Sequence, residues 1–274
     1  MERIKQAMER ARQEREANGG VSGDAVQSLS DAVSTARGAP TQIHYTQTRV
    51  VRVAPEVLRR NRVISGTGDA GVVDAYRMLR TRVLQQMQAH GWKSLAITSP
   101  GPSEGKTLTA VNLALSLAME VNHTVLLVDL DLRRPTVHRL FGYEPESGVA
   151  DYLFSDMPMS KVLFTPSVER LVVLPGNTRW DNSSEMLSMP RTREMVEEIT
   201  RRYPERIVLF DLPPVLMVDD AIAFAPFVDA FLLIVEEGET AKPALAQARE
   251  LLKNVNLLGT VLNKGEERGK YYDY

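Results

Sequence analysis

From about residue 70 onward, short apolar runs recur along the chain. They stand at 94–98 (SLAIT), 124–129 (TVLLVD), 171–174 (LVVL), 206–211 (RIVLFD), 230–235 (AFLLIV) and 257–262 (LLGTVL). Runs this short and this continuous predict strands buried on both faces, which is how parallel sheets read. Between them lie stretches with helical spacing. At 72–89 the apolar stripe is Val73, Tyr76, Val83 and Met87; further helices are predicted at 106–120, 191–203 and 241–253. Strands alternating with helices predict an α/β domain of three layers, a mainly parallel sheet with helices on both faces.

Ahead of residue 70 the pattern weakens. Residues 1–17 read as a polar helix with a thin stripe of Ile4, Met8 and Ala11. Residues 18–48 are rich in Gly, Ser, Thr, Ala and Gln without an apolar period, and predict a flexible linker. The stretch 49–61 (RVVRVAPEVLRRN) predicts a short strand and a helical turn leading into the domain. The expected organisation is an N-terminal helix and linker at 1–48, a domain at 49–264 and a tail at 265–274.

Composition changes this picture only in places. The chain has 274 residues, of which 43% are hydrophobic, enough for a sizeable core. Its net charge of −2 gives no general pull toward nucleic acid. The charge is uneven, however: residues 1–62 hold 11 basic and 7 acidic residues, the remainder 22 and 28. A basic arm on an acidic body suits an anionic membrane surface, the alternative being a solvated arm. There are no cysteines, which excludes disulfides, thiolate metal sites and cysteine nucleophiles. No apolar run approaches the ~18 residues of a membrane helix. The first residues mix acids and bases without an apolar core and do not read as a signal peptide. The expected compartment is the cytoplasm.

The chemistry concentrates in "SLAITSPGPSEGKTLTAVNLALSLA", which runs strand, loop, helix. The loop and first helical turn, Gly101, Pro102, Ser103, Glu104, Gly105, Lys106, Thr107 and Leu108, predict a nucleotide-phosphate cradle. Backbone amides and a helix N-terminus there favour an anion. Lys106 can reach the β- and γ-phosphates and the Thr107 hydroxyl can ligate Mg²⁺. Pro100 stands where the full phosphate-loop pattern has its first glycine. One predicted strand ends in Asp129, followed by Asp131 and Arg133, and another ends in Asp211 before Pro213 and Pro214. Acids at the carboxyl ends of parallel strands lie on the edge where ligands bind. Turn capping and an Asp–Arg ion pair are the alternatives for each singly. Together with Gly105-Lys106-Thr107 they point to nucleotide phosphate with Mg²⁺. Asn263, closing the last strand, is placed either to hydrogen-bond the base or to end the strand in a turn.

With "SPGPSEGKT", "LLVDLDLRR" and "VLFDLPP", the chain resembles, over about 70–274, the bacterial tyrosine kinases of capsule and exopolysaccharide synthesis. The resemblance implies a P-loop NTPase fold. It also implies a C-terminal phosphoacceptor cluster, matched by Tyr271, Tyr272 and Tyr274, three of the chain's eight tyrosines in its last four residues. The family's E-x-x-R-x-x-R ring-assembly helix is matched by Asp74, Arg77 and Arg80, with Asp in place of Glu. In such kinases one subunit's tyrosines enter a neighbour's site within a ring. A membrane-bound chain-length-determinant (Wzz-like) activator completes that site. The resemblance therefore implies a separate catalytic subunit, held at the inner face of the plasma membrane through that partner. The kinase resemblance implies ATP as the nucleotide, and the expected roles are Lys106 on its β- and γ-phosphates, with Thr107, Asp129 and Asp211 on Mg²⁺. Asp131 orients the tyrosyl hydroxyl and accepts its proton. Arg133 steadies charge or a subunit interface.

Two other classes compete. A switch ATPase of the chromosome-partitioning or septum-positioning kind (ParA/MinD-like) shares the fold but carries a second lysine early in the loop. Gly101 occupies that position, and "TSPGPSEG" contains no lysine. A scaffold that binds nucleotide only for assembly has no need to keep Lys106, Asp129, Asp131 and Asp211 together.

Overall fold

The computed structural model describes residues 48–64, 70–155 and 157–265. The expected N-terminal helix, nearly all of the expected linker and the three tail tyrosines lie outside the described residues. All six predicted strands form. In chain order the strands are β1 (Arg49–Val50), β2 (Ser94–Thr98), β3 (Thr124–Asp129), β4 (Phe164–Thr165), β5 (Leu171–Leu174), β6 (Arg206–Asp211), β7 (Ala230–Glu236) and β8 (Leu257–Asn263). They make one sheet of order β1-β4-β5-β3-β6-β2-β7-β8. Every pairing is parallel except β4 with β5.

The helices are α1 (Pro55–Arg60), α2 (Ala70–His90), α3 (Lys106–Ala118), α4 (Val137–Leu140), α5 (Val149–Phe154), α6 (Met159–Val162), α7 (Ser183–Leu187), α8 (Pro190–Arg201), α9 (Asp220–Phe224) and α10 (Lys242–Leu251). Alternate strand residues supply two cores. Leu95, Ile97, Leu127, Leu209 and Leu232 pack with Val83 and Met87 of α2 and with the apolar side chains of α3. Ala96, Leu126, Phe210 and Phe231 pack on the other face with Met195 and Ile199 of α8 and Ala248 of α10. This is the expected three-layer arrangement, and its period of two is the pleat of a strand buried on both sides. Helix α3 lies between the sheet and α2 and is buried along its length except at Thr107 and Leu108, which explains why its sequence is apolar all round.

β8 departs from expectation. It sits at the sheet edge, and Leu262 is 61% exposed, although its apolar run read like an interior strand. The two-residue β4 and the short helices α4, α5, α6, α7 and α9 had no periodic signal, being too short to complete one. Among the described residues no helix is long and apolar enough to cross a membrane.

Candidate nucleotide site

The strand order puts β6 between β2 and β3, so the phosphate loop leaving β2 and the acids ending β3 and β6 meet at one edge. Asp129 and Asp211 are direct partners across the parallel β3–β6 pair. Ser103 and Gly105 turn the loop with left-handed backbones, φ 64° and 90°. The amides of Lys106, Thr107 and Leu108 are first-turn amides of α3 and have no intrahelical acceptor, the ordinary basis of anion binding at a helix start.

Four side chains converge there. The Lys106 ammonium donates to Asp131 Oδ2 at 2.6 Å and lies 3.4 Å from Asp211 Oδ1. The Thr107 hydroxyl donates to Asp211 Oδ2 at 2.6 Å. Burial alone would lower the Lys106 pKa, but the Asp211 and Asp131 charges outweigh it and raise it. Asp129 lies behind this group. Its Oδ1 accepts the Asp131 amide at 3.2 Å, and its Oδ2 accepts the amides of Thr136 and Val137, each at 3.0 Å. It therefore orders the β3–α4 turn from which Asp131 projects. Burial, then repulsion from Asp211, pushes the Asp129 carboxyl well above its ordinary range. Burial likewise raises Asp211, against the pull of Lys106 and Thr107.

Other expected residues lie apart from this cluster or have further partners. The Arg133 guanidinium faces the buried Asp220 at 3.4 Å, and Ser183 donates a short hydrogen bond to the same carboxylate. Nothing in the sequence pointed to Ser183 or Asp220. Asn263 donates through Nδ2 to the Glu104 carbonyl at 2.8 Å, bracing the loop. Asp74 and Arg77 form an exposed pair at 2.8 Å, while Arg80 donates to the Ser116 carbonyl at 3.0 Å and fastens α2 to α3.

Gly105 is required twice over. A Cβ there would collide with Asn263 Nδ2, on a backbone with φ of 90°. Gly105→Ala is expected to lower unfolding free energy by about 1–3 kcal/mol through strain and crowding together. Adding Asn263→Ala should recover the crowding part. Chemical denaturation of both single variants and the double variant measures this, and strict additivity would contradict it.

A family model described as an AAA domain matches residues 94–265, from the start of β2 through the end of β8. Tyrosine-protein kinase YwqD of Bacillus subtilis (strain 168) is 34% identical over 203 residues, covering 73% of this chain and 84% of that protein. The solved kinase domain of the Escherichia coli tyrosine kinase ETK aligns with a TM-score of 0.69 at 27% identity, covering 86% of this chain and 98% of that one. The Pyrococcus furiosus cell division ATPase MinD aligns at a TM-score of 0.53 and 21% identity, covering 62% of this chain and 71% of that one, a likeness of fold alone. A phosphate loop answered by acids on two neighbouring strands, matched at this identity and coverage, has one consequence: the chain belongs to the bacterial tyrosine-protein kinase family.

Proposed function

We propose that this chain is an ATP-dependent protein-tyrosine autokinase of exopolysaccharide or capsule synthesis. It transfers the γ-phosphate of ATP to Tyr271, Tyr272 or Tyr274 of a neighbouring subunit. The observation that carries the reading is the cluster of buried Lys106, Asp131 and Asp211 with the partly buried Thr107, beside the amide-bearing start of α3.

The cluster's charge suits a divalent cation. Asp131 and Asp211 bond one ammonium and Asp129 lies behind them, a surplus of acidic groups that burial makes costly. Among the described residues no three His, Cys, Asp or Glu side chains form a ready cage. Mg²⁺ does not require such a cage, since it takes one or two protein oxygens and completes its shell with phosphate and water. Thr107 and Asp211 would hold it, with Asp129 acting through water or through the turn it orders. Bound there, Mg²⁺ would neutralise charge on the phosphates.

The remaining work falls to the chain. The first-turn amides of α3 and Lys106 hold the β- and γ-phosphates in line. Once phosphate oxygens compete for the Lys106 ammonium, Asp131 is freed to face the tyrosyl hydroxyl. The phenol oxygen then bonds to the γ-phosphorus, the bond to the β-phosphate oxygen breaks, ADP leaves, and the phenol proton passes to Asp131. An ordinary tyrosine with pKa about 10 needs such an acceptor at neutral pH. Arg133 lies in the segment after Asp131 and serves charge at the site or a subunit contact.

The exposed Asp74–Arg77 pair is available for self-association into a ring. Each phosphate added to a tail brings about −1.5 to −2 charges beside an acidic body, so modification loosens that ring. A Wzz-like membrane activator holds the chain at the inner face of the membrane.

The full chain, with Mg²⁺ and ATP, should gain phosphate on its C-terminal peptide by mass spectrometry, more so with a cytoplasmic fragment of the activator. Replacing Tyr271, Tyr272 and Tyr274 by Phe should remove that label. ATP consumption with no phosphotyrosine under either condition would favour the switch ATPase instead.

A further inference from the structure

The phosphate loop is fastened by a set of residues that have no part in the roles above. Lys264, the first residue beyond β8, has a left-handed backbone with φ of 58°. Its ammonium donates to the Ser103 carbonyl at 2.8 Å and to Glu236 Oε2 at 2.8 Å. The Glu236 amide donates to the Thr240 hydroxyl at 2.8 Å, and that hydroxyl donates to Glu104 Oε1 at 2.7 Å. With Asn263 on the Glu104 carbonyl, two consecutive loop residues are gripped from β8 and from the β7–α10 turn.

The grip falls where the loop is strained. Ser103 is a non-glycine residue with φ of 64°, a strained conformation that persists only where the surroundings impose it. A charge-assisted bond to its own carbonyl fixes the orientation of the Ser103–Glu104 peptide. The amide of Glu104 belongs to that same peptide plane, so holding the carbonyl outward on Lys264 turns the opposed N–H the other way. Loops of successive amides bind anions only when their N–H groups converge, which makes this orientation a condition of phosphate binding.

We propose that Lys264 is a positioning residue for nucleotide: paired with Glu236, it holds the Ser103–Glu104 peptide so that the loop amides are pre-set for phosphate. The pair's contribution to global stability is small, since Lys264 is 42% exposed in its side chain and exposed ion pairs are weak. Its effect is local. In sequence, the tyrosine-bearing tail follows directly after this residue.

The inference rests on the nucleotide reading of the loop, but one of its tests does not. In the full chain without nucleotide, Lys264→Met should speed amide hydrogen exchange across residues 101–107 by roughly tenfold, with a thermal midpoint close to the parent's. In the presence of ATP, the same variant should raise Kd and KM about five- to tenfold while kcat changes less than twofold. Lys264→Arg should recover most of both effects. Glu236→Gln should give a smaller change in the same direction, and combining it with Lys264→Met should add little. Unchanged exchange at 101–107 in Lys264→Met overturns the proposal, as does an unchanged ATP Kd in a chain that binds ATP. A parent chain that fails to bind ATP defeats the kinase reading; the exchange result then decides the brace by itself.

Discussion

Lys106→Met is expected to cut ATP-dependent tyrosine phosphorylation by about 10²- to 10³-fold or more, the scale on which removing a charge-stabilising group acts. Lys106 is bonded to both Asp131 and Asp211, and it opens the helix whose first-turn amides are proposed to hold phosphate. The loss has a second face. Without the ammonium, three buried carboxyls share an edge with the Thr107 hydroxyl and backbone amides but, among the described residues, no bonded cation, and breaking a buried pair from one side costs about 3–5 kcal/mol. That penalty should be largest at pH 8 and shrink toward pH 5, because the abandoned carboxyls escape it by taking up protons. Lys106→Arg keeps the charge but forces a larger, forked head into a space where Lys106 is only 9% exposed, so phosphorylation should not return. Phosphotyrosine formation and thermal unfolding, followed on the same samples across pH, check both halves. Unchanged phosphorylation in Lys106→Met removes Lys106 from the chemistry altogether.

The residues of this cluster were legible in the sequence because each closes or follows a run that reads plainly. SLAIT, TVLLVD and RIVLFD are doubly buried strands, and what comes directly after such a strand lies on the ligand edge. What the sequence withheld was which strands touch. Asp129 and Asp211 are 82 positions apart, and only the β3–β6 pairing makes them opposite partners. The same limit hid Arg133's partner: Asp220 lies on a five-residue helix with too few turns to show a period. Asn263 read as a base partner or as a strand-end turn residue, and its bond through the amide nitrogen to the Glu104 carbonyl, 159 positions away in sequence, could not be read from either. Lys264 carried no signal, since one lysine after a strand looks like any solvated charge until the left-handed turn folds it back over Ser103. The apolar run of β8 concealed an edge strand, because a short apolar run alone does not reveal how many neighbours it has.

Asp211→Asn is expected to stabilise the protein while abolishing its activity. The amide has nearly the shape of the carboxyl, its oxygen can still accept the Thr107 hydroxyl, and Lys106 keeps Asp131 at 2.6 Å. What disappears is a wholly buried charge set directly across from Asp129. Burial is the main reason Asp211 holds its proton above the ordinary carboxyl range. A carboxyl with a raised folded pKa destabilises the fold as it ionises, so stability falls as pH climbs from the unfolded value, about 3.9, through the folded one. The Asn variant has no such loss. In EDTA and without nucleotide, the two proteins should therefore unfold alike near pH 4 and separate as pH rises, with the variant ahead by about 1–2 kcal/mol at neutral pH. Tyrosine phosphorylation should meanwhile drop at least about 10²-fold, because the anionic oxygen assigned to Mg²⁺ is replaced by a neutral amide. Denaturant titrations at four or five pH values set beside a phosphorylation assay test this directly. A variant less stable than its parent at every pH would mean that the cluster carries no surplus negative charge in the fold, and the argument for a divalent cation at this edge would fall with it.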